Sequence, residues 1–168
     1  MRLRRSALLV LAVLASACTA ATNGTAEEQA AVDTLVYTGV VQQSGSSIER
    51  SVVLEQQGGQ PVRLGGELVG ELERLSGGTV RVEGVWTGLN GGSLDVARYE
   101  LLRISGGVPV VGVLEDRAGT LWLRGASSVQ LVAPPADLRD HVGARIWLLG
   151  EADEAGFRAH SYGVIADR

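Results

Sequence analysis

Cys18 is the only cysteine among 168 residues, so its thiol is the first candidate for chemistry in this sequence. No disulfide can form within the chain, because there is no second cysteine. Three arginines within residues 2–5, an apolar run over residues 7–15, and the small residues Ser16 and Ala17 precede it. This order is typical of a secretory signal. A membrane-spanning helix needs ~20 apolar residues, so we expect this shorter segment to be removed after export.

The stretch "LASAC" (residues 14–18) resembles the lipobox of bacterial lipoproteins. The resemblance implies a signal peptide at residues 1–17, cleavage after Ala17, and a diacylglycerol on Cys18. Two or three acyl chains are enough for stable membrane anchoring. The residue after the cysteine is Thr19 and not aspartate, and in this the sequence resembles lipoproteins sent to the outer membrane. The expected location is therefore the periplasmic side of that membrane where the cell has one, and otherwise the outer face of the cytoplasmic membrane. The alternative is an ordinary signal peptidase that cuts after Ala17 or Ala20.

The charge of the chain argues against nucleic acid as a partner. All 15 basic residues are arginine, and the net charge is −4. Removing residues 1–17 takes away three arginines and no acid, which leaves 12 basic against 19 acidic residues and a net charge of −7. An acidic surface repels phosphate backbones. Residues 18–33 are small and polar, and they predict a flexible tether with an r.m.s. span of ~20 Å.

Side chains that could perform catalysis or bind a metal are few and scattered. His141 and His160 have no carboxylate pair at ligand spacing. The acidic residues Glu151, Asp153 and Glu154 predict a solvated turn, since they lack the pattern of a calcium loop. The sequence has no nucleophile elbow, zinc-protease motif or phosphate-binding loop. We therefore expect no catalytic residue, no metal site and no cofactor.

From residue 34 onward the chain contains the same plan twice. The clearest correspondences occur at the end of each copy, at offsets of 66 and then 63 residues. The matched pairs are Val80 with Ile146, Val82 with Leu148, Gly84 with Gly150, Leu94 with Phe157, Val96 with Ala159, Tyr99 with Tyr162 and Leu101 with Val164. We therefore predict two repeats, at residues 34–104 and 105–168.

Each repeat predicts five strands with a short helix between the third and fourth. In the first repeat, Leu68, Leu72 and Leu75 form one apolar stripe of a helix within residues 67–78. The second helix is expected within residues 134–144, beginning at Pro134-Pro135. This order of elements is that of an OB-fold barrel, and the hydrophobic spacing resembles small exported bacterial OB-fold domains. The expected fold is mainly β, with two tandem five-stranded barrels. The alternative is a single larger β-sandwich or barrel.

Three apolar residues are expected on the outside of the second repeat. The fourth strand carries Trp147 and Leu149 where the first repeat has Arg81 and Glu83, and the second strand adds Trp122. Large exposed apolar patches usually mark an interface. The first repeat could pack on Trp122, Trp147 and Leu149. Alternatively, they form a docking face for another envelope protein or an apolar ligand.

The sequence as a whole favours an exported, lipid-anchored protein that acts as a non-catalytic binding or scaffolding module at the cell envelope. Its membrane contact would be the lipid on Cys18. One alternative is a carboxylate-dependent hydrolase acting on envelope polysaccharide, which would need two converging acids. Another is the binding of an oligonucleotide or oligosaccharide by the OB-like barrels.

Overall fold

The structure, a computed structural model, describes residues 33–45, 50–88 and 92–167. The predicted signal peptide, Cys18, and the predicted tether up to residue 32 lie outside the described residues. The described chain is mainly β and forms two five-stranded sheets. The strands are β1 (Leu35–Gly45), β2 (Arg50–Glu55), β3 (Val62–Gly65), β4 (Thr79–Thr87), β5 (Ser93–Arg103), β6 (Val110–Arg117), β7 (Thr120–Arg124), β8 (Ser128–Gln130), β9 (Arg145–Asp153) and β10 (Gly156–Ala166).

The first sheet runs in the order β1-β2-β3-β5-β4 and closes on itself. The long strand β1 makes this closure, since Leu35 to Val40 pair with β4 and Val40 to Gly45 pair with β2. A short parallel ladder between β3 and β5 completes the ring. Alternation decides the inward face, because Val80 and Val82 are buried while Arg81 is exposed.

The second sheet has the order β10-β9-β6-β7-β8. Its two edge strands approach each other at one parallel bridge, between Leu131 and Phe157. There the N–H of Val132 donates to the carbonyl oxygen of Phe157 at 2.9 Å. This bridge corresponds to the pairing of Leu64 with Leu94 between β3 and β5, so the two sheets differ in how far the third strand extends along the fifth.

The fourth and fifth strands pair in the same register in the two sheets. In the first, Val80, Val82 and Gly84 lie opposite Leu101, Tyr99 and Val96. In the second, Ile146, Leu148 and Gly150 lie opposite Val164, Tyr162 and Ala159. The irregularities also coincide, since Ala97 and Leu102 are skipped in β5 and their counterparts His160 and Ile165 are skipped in β10. The offsets of 66 and 63 residues thus recur in the backbone pairing.

A short helical element precedes the fourth strand of each sheet. The first is α1 (Val69–Glu73), inside the predicted range, with Leu72 buried. The second is a 3₁₀ helix (Ala136–His141) with Leu138 buried. The chain after each element returns to the first strand of its sheet, where Gly77 N–H donates to Val41 and Gly143 N–H to Leu114, both at 2.8 Å.

The buried apolar residues form two clusters, one under each sheet. The second cluster consists of residues of the second sheet and its connections, among them Leu114, Leu121 and Phe157. The first, which we call the shared cluster, contains the core of the first sheet together with Trp147, Leu149 and Ile165. The two sheets therefore have separate interiors and are joined through the outer face of the second.

Candidate functional site

Trp147 and Leu149 form the contact between the two sheets. They are 8% and 6% exposed and belong to the shared cluster. The fit is close, since a Cβ added at Gly107 would lie 2.7 Å from a methyl carbon of Leu149. The first of the two interpretations, packing by the first repeat, therefore describes these residues. The docking-face alternative was wrong for them, because the first sheet covers this surface.

Trp122 lies apart from that contact, so the expectation of a single patch of three residues was also wrong. The register on β6 gives the reason. Val111 lies opposite Trp147, whereas Glu115 lies opposite Trp122. Four residues along a strand amount to ~13 Å. Alternation placed all three side chains on one face correctly, but it carries no information about their separation along the strands.

A polar network accompanies the apolar contact between the sheets. The Arg145 guanidinium donates from Nη1 to Oε2 of Glu71 at 2.8 Å and to the Tyr99 hydroxyl oxygen at 3.1 Å. The Tyr99 hydroxyl donates to the same Glu71 oxygen at 2.5 Å, and the guanidinium lies 5.0 Å from the centre of the Tyr99 ring. Burial and the hydrogen bond to Glu71 raise the pKa of Tyr99 above its usual value. A second ion pair joins Arg74 to Asp167 at 2.7 Å.

Sequence reasoning missed this network. Glu71 and Arg145 lie 74 residues apart in the chain, and no local pattern links them. The available signal was the match between Tyr99 and Tyr162. A tyrosine present in both copies of an otherwise apolar pattern suggests a polar partner for its hydroxyl.

The outer face of β6, β7 and β8, here called the Trp122 face, remains accessible. Leu121 and Leu123 point inward and are each 1% exposed, which directs Trp122 outward as a half-buried ring. The other members of the face are Glu115, Arg117, Arg124 and Gln130.

Charged groups on the Trp122 face are held in place around the indole. Arg117 lies over the ring, with its guanidinium carbon 5.0 Å from the ring centre, and donates to Glu115 at 2.6 and 3.0 Å. Arg124 donates to the other oxygen of the same carboxylate. The hydrogen bonds from Arg124 and Arg117 lower the pKa of Glu115. The face thus offers one flat aromatic ring bordered by two guanidinium groups, a carboxylate and the Gln130 amide.

The histidines and the acidic turn lie elsewhere. His141 is 5.9 Å from the Tyr162 ring, and His160 is an exposed, skipped residue of β10. Asp153 accepts hydrogen bonds from the N–H groups of Ala155 and Gly156 at 2.8 and 3.1 Å within an exposed turn. Among residues 33–45, 50–88 and 92–167, no three His, Cys, Asp or Glu residues are grouped so as to hold a metal ion.

Comparisons with protein-family models, with curated proteins and with solved structures find no match to this chain. None of the helices that the structure describes has the length and apolar character needed to cross a membrane. The assignment of a function therefore depends on the geometry of the Trp122 face and on the signal predicted at the N-terminus.

Proposed function

We propose that this chain is an exported, lipid-anchored protein whose two tandem OB-like barrels, at residues 34–104 and 105–168, form a non-catalytic module that binds glycans of the cell envelope. The ligand lies across the Trp122 face, and Cys18 carries the lipid. The observation that carries the proposal is the outward indole of Trp122, bordered by Arg117, Arg124 and Glu115.

The sheet topology supports the OB-like assignment. Each sheet has five strands, with a short helical element between the third and fourth. In each, the first strand pairs with both the second and the fourth, and the third approaches the fifth in parallel. The OB fold is a five-stranded, partly open Greek-key barrel, so this connectivity supports the OB-like assignment.

The position of Trp122 within this topology supports a binding role. OB folds bind oligonucleotides and oligosaccharides on the face of their second and third strands, which here are β7 and β8. Trp122 is on β7, paired with Gln130 of β8. The equivalent position in the first sheet is Val53, which offers no stacking surface. The binding face therefore belongs to the second repeat.

The chemistry of the face favours a neutral or mildly charged sugar over nucleic acid. Two arginines share one carboxylate, so the face has little net positive charge, and the mature chain has a net charge of −7 by the count given above. Arg117 now covers the indole, but an exposed cation–π contact is worth only about 0.5–1 kcal/mol. A sugar ring can therefore displace the guanidinium, which is then free to donate to ligand hydroxyl groups.

The electrostatics of Glu115 argue against the hydrolase alternative at this face. A general acid in glycoside hydrolysis needs a raised pKa so that it carries a proton near neutral pH. The hydrogen bonds from Arg124 and Arg117 lower the pKa of Glu115 instead. The carboxylate thus positions the two guanidinium groups and remains ionised.

The test is a titration of the mature chain, carrying Cys18→Ser, with a soluble chain of N-acetylglucosamine units. The three tryptophan indole N–H signals, from Trp86, Trp122 and Trp147, are followed by NMR. We expect a saturable shift of the Trp122 signal alone. Trp122→Ala should weaken binding at least about tenfold, as is usual for a central aromatic contact.

Trp86→Ala is the matched control, because Trp86 is 44% exposed and belongs to the first sheet. It should bind as the wild type does. Equal losses in the two variants, or binding of a single-stranded oligonucleotide in preference to the sugar, would contradict the glycan proposal.

Lipid anchoring is tested separately in the native host. A clickable palmitate analogue should label the full-length protein and leave Cys18→Ser unlabelled. The substitution should also shift the protein from the membrane to the soluble fraction, since two or more acyl chains are needed for stable anchoring. Equal labelling of the two proteins would refute acylation at Cys18.

A further inference from the structure

A tyrosine–carboxylate pair occurs at the same position in both repeats. In the first, Tyr99 of β5 donates from its hydroxyl to Glu71 of α1 at 2.5 Å. In the second, Tyr162 of β10 donates to Asp137 of the 3₁₀ helix at 2.5 Å. The tyrosines are 63 residues apart and the carboxylates 66, which are the offsets that relate the two repeats. The two pairs are therefore structural equivalents.

The first pair binds an arginine of the other sheet. Arg145 of the second sheet donates to Glu71 at 2.8 Å and to the Tyr99 hydroxyl oxygen at 3.1 Å. Its guanidinium also lies 5.0 Å from the centre of the Tyr99 ring. The pair thus recognises the guanidinium by charge, by the hydroxyl lone pair and by the ring face. A tyrosine–carboxylate pair of this kind therefore binds a guanidinium group within the molecule itself.

The second pair is not covered by the residues that the structure describes. Tyr162 is partly exposed and Asp137 is exposed, whereas Tyr99 is only 7% exposed. In the part of the chain that the structure describes, neither Asp137 nor the nearby Asp140 forms an ion pair. The His141 ring borders Tyr162 on one side, tilted by 56° to its plane. Arg139 of the same helix is already bound to Asp116 and Gly119.

We propose that the Tyr162–Asp137 pair is a binding site for an arginine side chain presented by another protein chain. The partner's guanidinium takes the place that Arg145 has at Tyr99 and Glu71. Asp137 supplies the complementary charge. A planar guanidinium is preferred to an ammonium group, because it can contact the carboxylate and the ring face together. This site is separate from the Trp122 face and does not depend on glycan binding.

The test uses the peptide acetyl-Gly-Arg-Gly-amide and its lysine counterpart as probes of the mature chain carrying Cys18→Ser. Ring ¹³C labelling resolves three tyrosines, Tyr37, Tyr99 and Tyr162. The arginine peptide should shift the Tyr162 signals saturably and leave Tyr99 unmoved, since Arg145 already fills that pair. The lysine peptide should bind about fivefold or more weakly.

Asp137→Asn should weaken arginine binding about tenfold, the usual effect of removing a charge-assisted hydrogen bond. Asp140→Asn is the matched control, because it removes the same charge from the same helix without touching the tyrosine hydroxyl. Tyr162→Phe keeps the ring and removes the hydroxyl, so it should also weaken arginine binding. It replaces Asp137→Asn as the test if Asp137→Asn is unstable. Equal binding of the two peptides, or equal losses in Asp137→Asn and Asp140→Asn, would overturn the proposal in favour of a pair that only fixes the 3₁₀ helix to β10.

Discussion

Tyr99 is the residue through which the two sheets share polar contacts as well as apolar ones. Its ring belongs to the shared cluster, while its hydroxyl donates to Glu71 and accepts from Arg145. The carboxylate and guanidinium are both partly exposed, at 24% and 36% of their side-chain area. Water therefore still screens the ion pair, and the pair alone contributes little. The hydroxyl is different, because it is buried with two partners.

Tyr99→Phe should lower the free energy of unfolding by about 1–2 kcal/mol, since it leaves two charged groups without a buried hydrogen-bond partner. Tyr162→Phe is the matched control. It removes the equivalent hydroxyl at a more exposed position and should lower the free energy of unfolding by less than about 1 kcal/mol. Urea unfolding of the two variants and the wild type measures both. Equal losses would mean that the contact between the sheets adds nothing to the hydroxyl at Tyr99.

The same variants give a pH dependence with a defined sign. Burial, with the hydrogen bond to Glu71, raises the pKa of Tyr99, and the hydrogen bond to Asp137 raises the pKa of Tyr162 to about 12. An unfolded tyrosine ionises near pH 10. Stability from these groups is thus complete below about pH 10 and is lost as the pH rises through the folded values. The urea midpoint should fall between pH 9 and about 11.5, and less steeply in Tyr99→Phe than in the wild type. Identical slopes would contradict this assignment.

At the scale of elements, the first strand of each sheet has a glycine where its pairing passes from the fourth strand to the second. Gly39 of β1 and Gly112 of β6 occupy equivalent positions, opposite Val80 and Ile146. A Cβ at Gly39 would overlap the carbonyl oxygen of Glu55, and one at Gly112 would lie 2.6 Å from that of Arg124. These obstacles are backbone atoms of the neighbouring strand, which cannot rotate away. A side chain here would force the first strand off its partner.

Gly39→Ala should therefore lower the free energy of unfolding by about 2 kcal/mol or more, through strain of the kind that overpacking causes. Gly70→Ala, in the exposed part of α1, meets no atom within 4 Å and should raise stability by about 0.5–1 kcal/mol through helix propensity. Thermal unfolding of the two variants would show opposite shifts of Tm. A stable Gly39→Ala protein would mean that β1 can move away from Glu55 without losing its pairing.

Sequence patterns predicted the elements better than their partners. The alternation of Val80 and Val82 with charged residues indicates a strand, and the structure has β4 there, at Thr79–Thr87. The matched residues Ile146 and Leu148 lie in β9, at Arg145–Asp153. The element before β9 was expected to be a helix within residues 134–144. Between Pro135 and Gly143 it is a 3₁₀ helix of six residues, since so short a segment allows few α-helical hydrogen bonds.

The candidate surface was only partly predictable, for a physical reason. Alternation decides which face of a strand a side chain is on, and it correctly directed Trp147 and Leu149 outward to a contact. The register of strand pairing decides which residues lie beside that side chain. Register depends on pairings between residues that are distant in the chain. The separation of Trp122 from Trp147 follows from the pairing with β6, which no local pattern encodes.

At the scale of the whole described fold, Trp147 joins two sheets that have separate interiors. The indole fills the space over Gly163, where an added Cβ would lie 2.6 Å from its Nε1. Trp147→Ala should lower the free energy of unfolding by about 3–5 kcal/mol, the usual loss for a buried tryptophan. Trp122→Ala also removes an indole from the second sheet, but one that the first sheet does not cover. It should lower the free energy of unfolding by about 1 kcal/mol or less. Urea unfolding followed by far-UV circular dichroism compares the two variants.

Gly163→Ala tests whether the loss comes from the contact itself. Alone it should destabilise, because the new methyl group displaces the indole. In the double variant with Trp147→Ala the methyl group occupies space that the indole has left. The loss of unfolding free energy in the double variant should then be smaller than the sum of the two single losses by about 1 kcal/mol or more. Additive losses would show that the two residues act independently, and the junction between the sheets would then depend on Leu149 and the Arg145 network.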